Sequence, residues 1–200
     1  MEKYFIGIDS GTSGIKAVLF DLKGNEIGQK SFPLKGIFPR EDMYEEDMLE
    51  IWDKAVKCVK AVTEAFPDKE IVGIGITAQG DGLWMVDENM EPVRNGCCFC
   101  DGRAAKIVDR WVEDGTCDKL FEITGTRIFT GNQNGIVKWM EEHEPENLDK
   151  SRWLLHLKDY LFYRFTGKVT TDATDQSLIF LDQNKRDYLD ETFKICGIEK

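Results

Sequence analysis

The chain reads as a mixed α/β fold in which helices flank a partly antiparallel sheet, and three observations carry that reading. Residues 4–8, 15–20 and 26–32 are short strand-like runs joined by tight turns. From residue 44 the apolar spacing changes, and Met48, Trp52, Ala55, Val56, Val59 and Val62 fall on one helical face. After Pro67 and Asp68 break that helix, residues 71–77 return to a short apolar run of strand type.

Taken in order, the first three runs form an antiparallel meander, with a glycine-rich turn over 8–14 and a second turn at Lys23-Gly24-Asn25. Residues 33–40 are irregular and hold two prolines. The helix is expected to start near Tyr44, with Glu45, Glu46 and Asp47 in a first turn where the helix dipole favours negative charge. Residues 41–50 carry six acids and no base, which reads as a solvated helix start rather than a cation site. Strand character continues at 83–86 and 93–100. Helices are expected at 101–113, 118–124, 134–142 and 158–165, the last closed by Gly167 as a C-cap glycine. Residues 169–181 read as strand, and Trp84, Trp111, Trp139 and Trp153 as core or interface residues.

Two hundred residues suffice for one domain with a real core, or two small ones. Hydrophobic residues at 42% and charged residues at 32% describe a globular chain rather than a disordered one. Lys plus Arg is 26 and Asp plus Glu is 37, a net charge of −11. That balance argues against nucleic-acid or anionic-membrane partners, which need basic patches. It leaves phosphate ligands open, since a few backbone N–H groups bind a phosphate on an acidic protein. The apolar run at the N-terminus is too short for a signal peptide, and no window approaches the ~18 apolar residues of a membrane span. Six cysteines in a chain of this size read as reduced thiols of a cytoplasmic protein. Cys97 and Cys100 form a CxxC, but no second pair follows and the chain has two histidines, so a zinc site is not expected.

The chemistry concentrates in Ile8-Asp9-Ser10-Gly11-Thr12-Ser13-Gly14. Gly11 and Gly14 permit positive φ and close approach of backbone to a ligand. The intervening N–H groups can form an anion-binding nest, and Thr12 and Ser13 add hydroxyl donors. Asp9 at a strand end can hold Mg²⁺ through water. One carboxylate beside several phosphate donors suits a nucleotide–metal complex. A polar hairpin with no ligand is the bland alternative, and it loses ground once Asp9, Thr12, Ser13 and Lys16 are taken together. No Walker A sequence is present, and the loose glycine pattern Gly73-x-Gly75-x-x-Ala78 lies within a strand, which argues against a dinucleotide site.

The pattern Gly7-Ile8-Asp9-x-Gly11-Thr12-Ser13-x-x-Lys16-x-x-x-x-Asp21 resembles the first phosphate-binding hairpin of the actin/hexokinase/heat-shock-chaperone ATPase superfamily. Three further segments narrow the resemblance to the N-terminal part of the FGGY carbohydrate kinases. Gly73-Ile74-Gly75-Ile76-Thr77-Ala78-Gln79-Gly80-Asp81-Gly82 is similar to that family's substrate-loop strand. Phe99-Cys100-Asp101-Gly102-Arg103-Ala104 is similar to its Trp-x-Asp-Gly-Arg segment, and Thr170-Thr171-Asp172-Ala173-Thr174-Asp175-Gln176-Ser177 to its Thr-Asp-x-x-Asp-Ala-Ser segment. Order and spacing agree over nearly all 200 residues.

The resemblance implies a ribonuclease-H-like α/β fold and an ATP-dependent kinase acting on a sugar or polyol hydroxyl, a ketopentose such as xylulose above all. It implies that Asp9 organises Mg²⁺, that Gly11, Thr12 and Ser13 contact the transferred phosphate, and that Lys16 helps to neutralise it. Gln79, Gly80 and Asp81 would face the sugar, and Asp101 and Arg103 would shape the same pocket. Fixed polar partners of this kind suit a ligand that is a row of hydroxyls. Glycerol kinases carry Arg-Glu at Gly80-Asp81, and xylulose kinases Met-His; Gln-Gly-Asp-Gly is more similar to the L-xylulose, keto-gulonate and tetritol kinase branch. Family members are more than twice as long as this chain. The catalytic base is therefore expected beyond Lys200, the nucleotide domain lies outside these residues, and the intact enzyme would admit a homodimer. Two other readings stay open: a sugar-binding or regulatory half-kinase module without catalysis, and another ATPase of the superfamily.

Overall fold

The computed structural model describes residues 2–176 and 180–198. Its centre is a four-stranded sheet in the order β3-β2-β1-β5. β1 (Lys3–Gly11) and β2 (Gly14–Asp21) pair antiparallel around the two-residue turn Thr12-Ser13, and β3 (Glu26–Pro33) pairs antiparallel with β2. The chain then crosses the sheet through α1 (Met48–Ala65) to β5 (Glu70–Ala78), which lies parallel to β1. Alternation along β1 and β2 turns Tyr4, Ile6, Ile8, Ile15, Ala17 and Leu19 inward. They pack with Met48, Ile51, Ala55, Cys58 and Val62 of α1 and with Leu157, Tyr160 and Leu161 of α6 (Leu157–Thr166).

α1 begins where its sequence provides a cap. Asp47 Oδ1 accepts hydrogen bonds from the N–H groups of Leu49 (2.8 Å) and Glu50 (3.2 Å). The helix stops at Phe66, the residue before Pro67, where helical backbone is disfavoured. A second apolar cluster joins α2 (Ala105–Glu113), α3 (Thr116–Thr124) and α4 (Gln133–His143) to β6 (Trp84–Val86) and β7 (Gly96–Cys97), through Leu83, Met85, Cys97, Ile107, Trp111, Leu120, Ile136 and Met140. β6 pairs with β8 (Trp153–Leu155), which follows the short α5 (Pro145–Lys150). Left-handed glycines bound the helices: Gly115 and Gly125 flank α3, and Gly167 closes α6 as the sequence predicts. Among the described residues no helix is long and apolar enough to cross a membrane.

Several expectations are corrected. Glu45 and Glu46 are not in a helical first turn; they form β4 (Glu45–Glu46), paired antiparallel with β7, and both are buried. The six acids of this stretch are thus divided among the exposed Glu41 and Asp42, the buried Glu45 and Glu46, and Asp47 and Glu50 at the start of α1. The helix expected from residue 101 begins at Ala105, because the Asp101 carboxylate turns back to bond Arg103 instead of capping it. Strand structure over 93–100 shrinks to Gly96–Cys97. Among the described residues of the stretch 169–181, strand structure is confined to Leu181: Asp172 Oδ1 accepts from the N–H of Thr174 (2.8 Å) and Asp175 (3.3 Å), which starts the short α7 (Ala173–Gln176). Residues 177–179 lie outside the described set, and β9 (Leu181–Asp182) with β10 (Asp187–Tyr188) forms a separate ribbon before α8 (Asp190–Ile195). Trp84, Trp111 and Trp139 are buried as expected, whereas Trp153 is 40% exposed.

Candidate active site

The hairpin and the second polar loop leave the sheet side by side. Asp9 is in register with Thr77 and Ser10 with Ala78, and the Gln79 N–H extends the parallel ladder to the Ser10 carbonyl at 2.8 Å. Asp9 is exposed on β1, directly across from Lys16 on β2. Neither side chain is ion-paired among the described residues. A free carboxylate on a rigid strand fits Mg²⁺ that keeps most of its ligands as water and phosphate oxygen. No cluster of three or more acids, cysteines or histidines competes for a metal among the described residues, so such an ion would depend on the phosphates it arrives with.

The hairpin turn is held from outside. Tyr44 Oη donates to the Thr12 carbonyl (3.2 Å), and the Leu34 N–H to the Ser13 carbonyl (3.0 Å). Gly11 and Gly14 do not use positive φ, contrary to the sequence argument. Gly14 is instead required by packing, since a Cβ there would stand 3.0 Å from the Phe32 carbonyl oxygen of β3.

Left-handed backbone appears in the second loop, at Asp81 (φ 54°) and Gly82 (φ 73°). A Cβ on Gly82 would meet the Cys97 carbonyl oxygen at 2.3 Å, and one on Gly131 would overlap the Phe99 carbonyl. Three backbone segments therefore close on one another, and the Gly82 N–H donates to the Gly131 carbonyl at 2.9 Å. Asn132, the residue before α4, fixes Asp81: its Nδ2 donates to Asp81 Oδ1 (2.6 Å) while its Oδ1 accepts the Phe129 N–H (2.7 Å). Burial pushes the Asp81 carboxyl up, and the Asn132 hydrogen bond and nearby His156 pull it back. His156 is fully buried at the start of α6, with both ring nitrogens unpartnered among the described residues. Gln79 reaches β4, its Nε2 donating to Glu46 Oε2 at 2.9 Å, while Gly80 is exposed between them.

Asp101 and Arg103 are not solvent-facing. They are 0% and 4% exposed and tied to each other: Arg103 Nε donates to Asp101 Oδ1 (2.8 Å) and Nη2 to Asp101 Oδ2 (3.0 Å). Asp101 Oδ2 also accepts the Tyr44 N–H (2.7 Å), and Arg103 Nη2 donates to Glu45 Oε1 (2.6 Å). Arg94 bridges Glu45 to Glu144. Burial opposes the Arg103 charge, but the hydrogen bonds it donates to Asp101 and Glu45 outweigh it and raise the pKa. This cluster supports the site through Tyr44, which braces the hairpin turn. In the 170–177 segment, Asp172 and Asp175 meet Lys158 Nζ at 3.0 and 3.2 Å; Ser177 lies outside the described residues. Sequence reasoning missed Glu46, Asn132, His156 and Lys158. The polar triplet Asn132-Gln133-Asn134 opening an apolar helix was the available signal for one of them; an isolated histidine or lysine gave none.

Among the described residues, one cavity of about 550 Å³ lies away from both loops, between Val137, Leu148, Trp153, Phe180 and Phe193, and another of about 600 Å³ runs along Arg40, Gly102, Arg103, Lys106 and Trp139.

Comparison with solved structures places this fold among the actin/hexokinase-like ATPases. A gluconate kinase from Lactobacillus acidophilus superposes with a TM-score of 0.94 at 24% identity, over 100% of this chain and 40% of that one. The chain belongs to the FGGY family of carbohydrate kinases: the model of that family's N-terminal domain matches residues 4–200. It is 37% identical over 169 residues to the L-xylulose/3-keto-L-gulonate kinase of Escherichia coli, covering 84% of this chain and 34% of that protein. It is 30% identical over 197 residues to the erythritol kinase of Brucella abortus, covering 98% and 38%. A ligand-bound xylulose kinase from Lactobacillus acidophilus superposes with a TM-score of 0.93 at 25% identity, over 99% and 40%. The chain thus spans between a third and two fifths of the length of these relatives.

Proposed function

We propose that this chain is the sugar-facing leading part of an ATP-dependent kinase that transfers the γ-phosphate to a hydroxyl of a ketopentose or tetritol. The observation that carries the reading is the adjacency of the two loops, with the free Asp9 hairpin and the Gln79–Gly80–Asp81 loop leaving neighbouring parallel strands joined by the Gln79–Ser10 hydrogen bond. Relatives named for L-xylulose, 3-keto-L-gulonate and erythritol support the substrate class.

In this reading Asp9 holds Mg²⁺, which when bound would offset charge on the phosphates. The N–H and hydroxyl groups of Gly11, Thr12 and Ser13 orient the transferred phosphate, and Lys16 stands across the strand pair as a counter-charge. Gln79, Gly80 and Asp81 bind and orient the sugar, and Asp81 stays aimed because Asn132 fixes it. Asp101 and Arg103 shape the pocket from behind by holding Tyr44. The base that takes the hydroxyl proton lies outside residues 1–200. A cytoplasmic setting, absence of nucleic-acid and membrane partners, and dimerisation of the intact enzyme complete the proposal.

The test is ADP release by the full-length protein, screened with L-xylulose, D-xylulose and erythritol. Asp9→Ala is expected to lower sugar-dependent turnover by at least about a thousandfold, as loss of a phosphoryl-transfer electrostatic group does. Circular dichroism should be unchanged, because Asp9 is exposed and unpaired. Turnover within tenfold of wild type would remove Asp9 from the mechanism.

A further inference from the structure

β4 carries two adjacent carboxylates that are nearly sealed from water, Glu45 at 4% and Glu46 at 1% exposed. Strand geometry sends neighbouring side chains to opposite sides. Glu45 meets the guanidinium groups of Arg94 and Arg103. Among the described residues Glu46 meets no cation. Its neighbours are the Gln79 amide, the Cys98 thiol beside it, Glu50 on α1, and Tyr44 and Cys100, whose ionisation its charge opposes. Among the described residues Glu46 Oε1 and Gln79 Oε1 are both buried without a well-formed hydrogen bond, the Cys98 thiol acting on both side chains.

This pairing has two self-consistent arrangements. An ionised carboxylate only accepts, so it anchors the Gln79 N–H and leaves the Gln79 carbonyl for another donor. A protonated carboxyl must place its own O–H, and the Gln79 carbonyl becomes a partner once the amide turns over. The N–H end then takes the place of the carbonyl. Leaving the buried O–H unpaired would be the costlier choice.

We propose that Glu46 is a positioning residue whose charge sets which end of the Gln79 amide faces away from β4. The proposal deepens the sugar-kinase reading and rests on it for the ligand's identity. Both forms are accessible near neutrality: burial pushes the Glu46 carboxyl up to about 7, against the opposing hydrogen bonds of Cys98 and Gln79.

Two measurements on the full-length protein test it separately from the sugar. With ¹⁵N-glutamine labelling and no ligand, the Gln79 side-chain amide signals, identified by their loss in Gln79→Ala, should move with a single midpoint near 7 and stay still in Glu46→Gln. Signals indifferent to pH in the wild-type protein overturn the proposal whatever the substrate is. In turnover assays with L-xylulose, KM should rise about three- to tenfold as pH falls through 7, the worth of one hydrogen bond, with kcat much less affected. Glu46→Gln should erase that inflection in KM. A KM inflection that persists in the variant also overturns the proposal. If no ketose or polyol is phosphorylated, the sugar-kinase reading fails, and the amide titration alone decides whether Glu46 governs Gln79.

Discussion

Arg103 looks in the sequence like a residue aimed at a ligand, and in the fold it is the cation that makes two buried acids tolerable. Its guanidinium answers Asp101 and Glu45 together, and its side chain has no exposed surface. Arg103→Met keeps much of the volume and removes the charge, leaving both carboxylates buried with one counter-ion fewer. We expect a loss of about 3–5 kcal/mol in urea unfolding at neutral pH. A loss under about 1 kcal/mol would mean that Arg94 alone suffices. The dipeptide spacing Asp101-x-Arg103 was legible as a unit, but its partner was not. Glu45 lies 58 residues upstream, and its role depends on β4 pairing with β7, which no local pattern announces.

At the scale of elements, Asp47 divides the 41–50 stretch into a strand and a helix. Its carboxylate satisfies two of the free N–H groups at the start of α1. Asp47→Ala should cost about 1 kcal/mol in thermal unfolding, the usual worth of an N-cap. A neutral result would show that packing alone fixes where the helix begins. The elements the sequence made legible are those with long periodic patterns: β1, β2, β3, α1 and β5, with α4 and α6 close to their expected ends. Those it hid are two or three residues long. β4, β7 and β8 exist because a distant partner accepts their hydrogen bonds, and Glu45-Glu46 has the composition of a helix start. The segment over 169–181 has strand-like composition, yet Asp172 redirects it by capping a helical turn.

Across the whole molecule, buried acids set how stability depends on pH. Glu46 has its carboxyl moved from 4.5 to about 7 by burial, so between those values the folded chain holds a proton that the unfolded chain has lost. Stability therefore falls as pH rises through that window, by about 3 kcal/mol from this group. Asp172, held low chiefly by its hydrogen bond from Thr174 and also by Lys158, works in the opposite sense: its contribution is present above the usual aspartate range and is lost as pH falls. Glu46→Gln should remove the first slope and leave the second. Denaturant midpoints measured from pH 4 to 8 would show the variant gaining on wild type as pH rises, and parallel curves would contradict it.

The two-residue β4 also has a consequence for how this stretch can vary by descent. Its two faces differ, with arginines beside Glu45 and, among the described residues, no cation beside Glu46, and a slip of one position exchanges them. Inserting or deleting a single codon between Tyr44 and Met48 would strand an acid away from its arginines and deprive Gln79 of its carboxylate in one event. The exposed Glu41 can change its letter freely, but the stretch that follows cannot change its length.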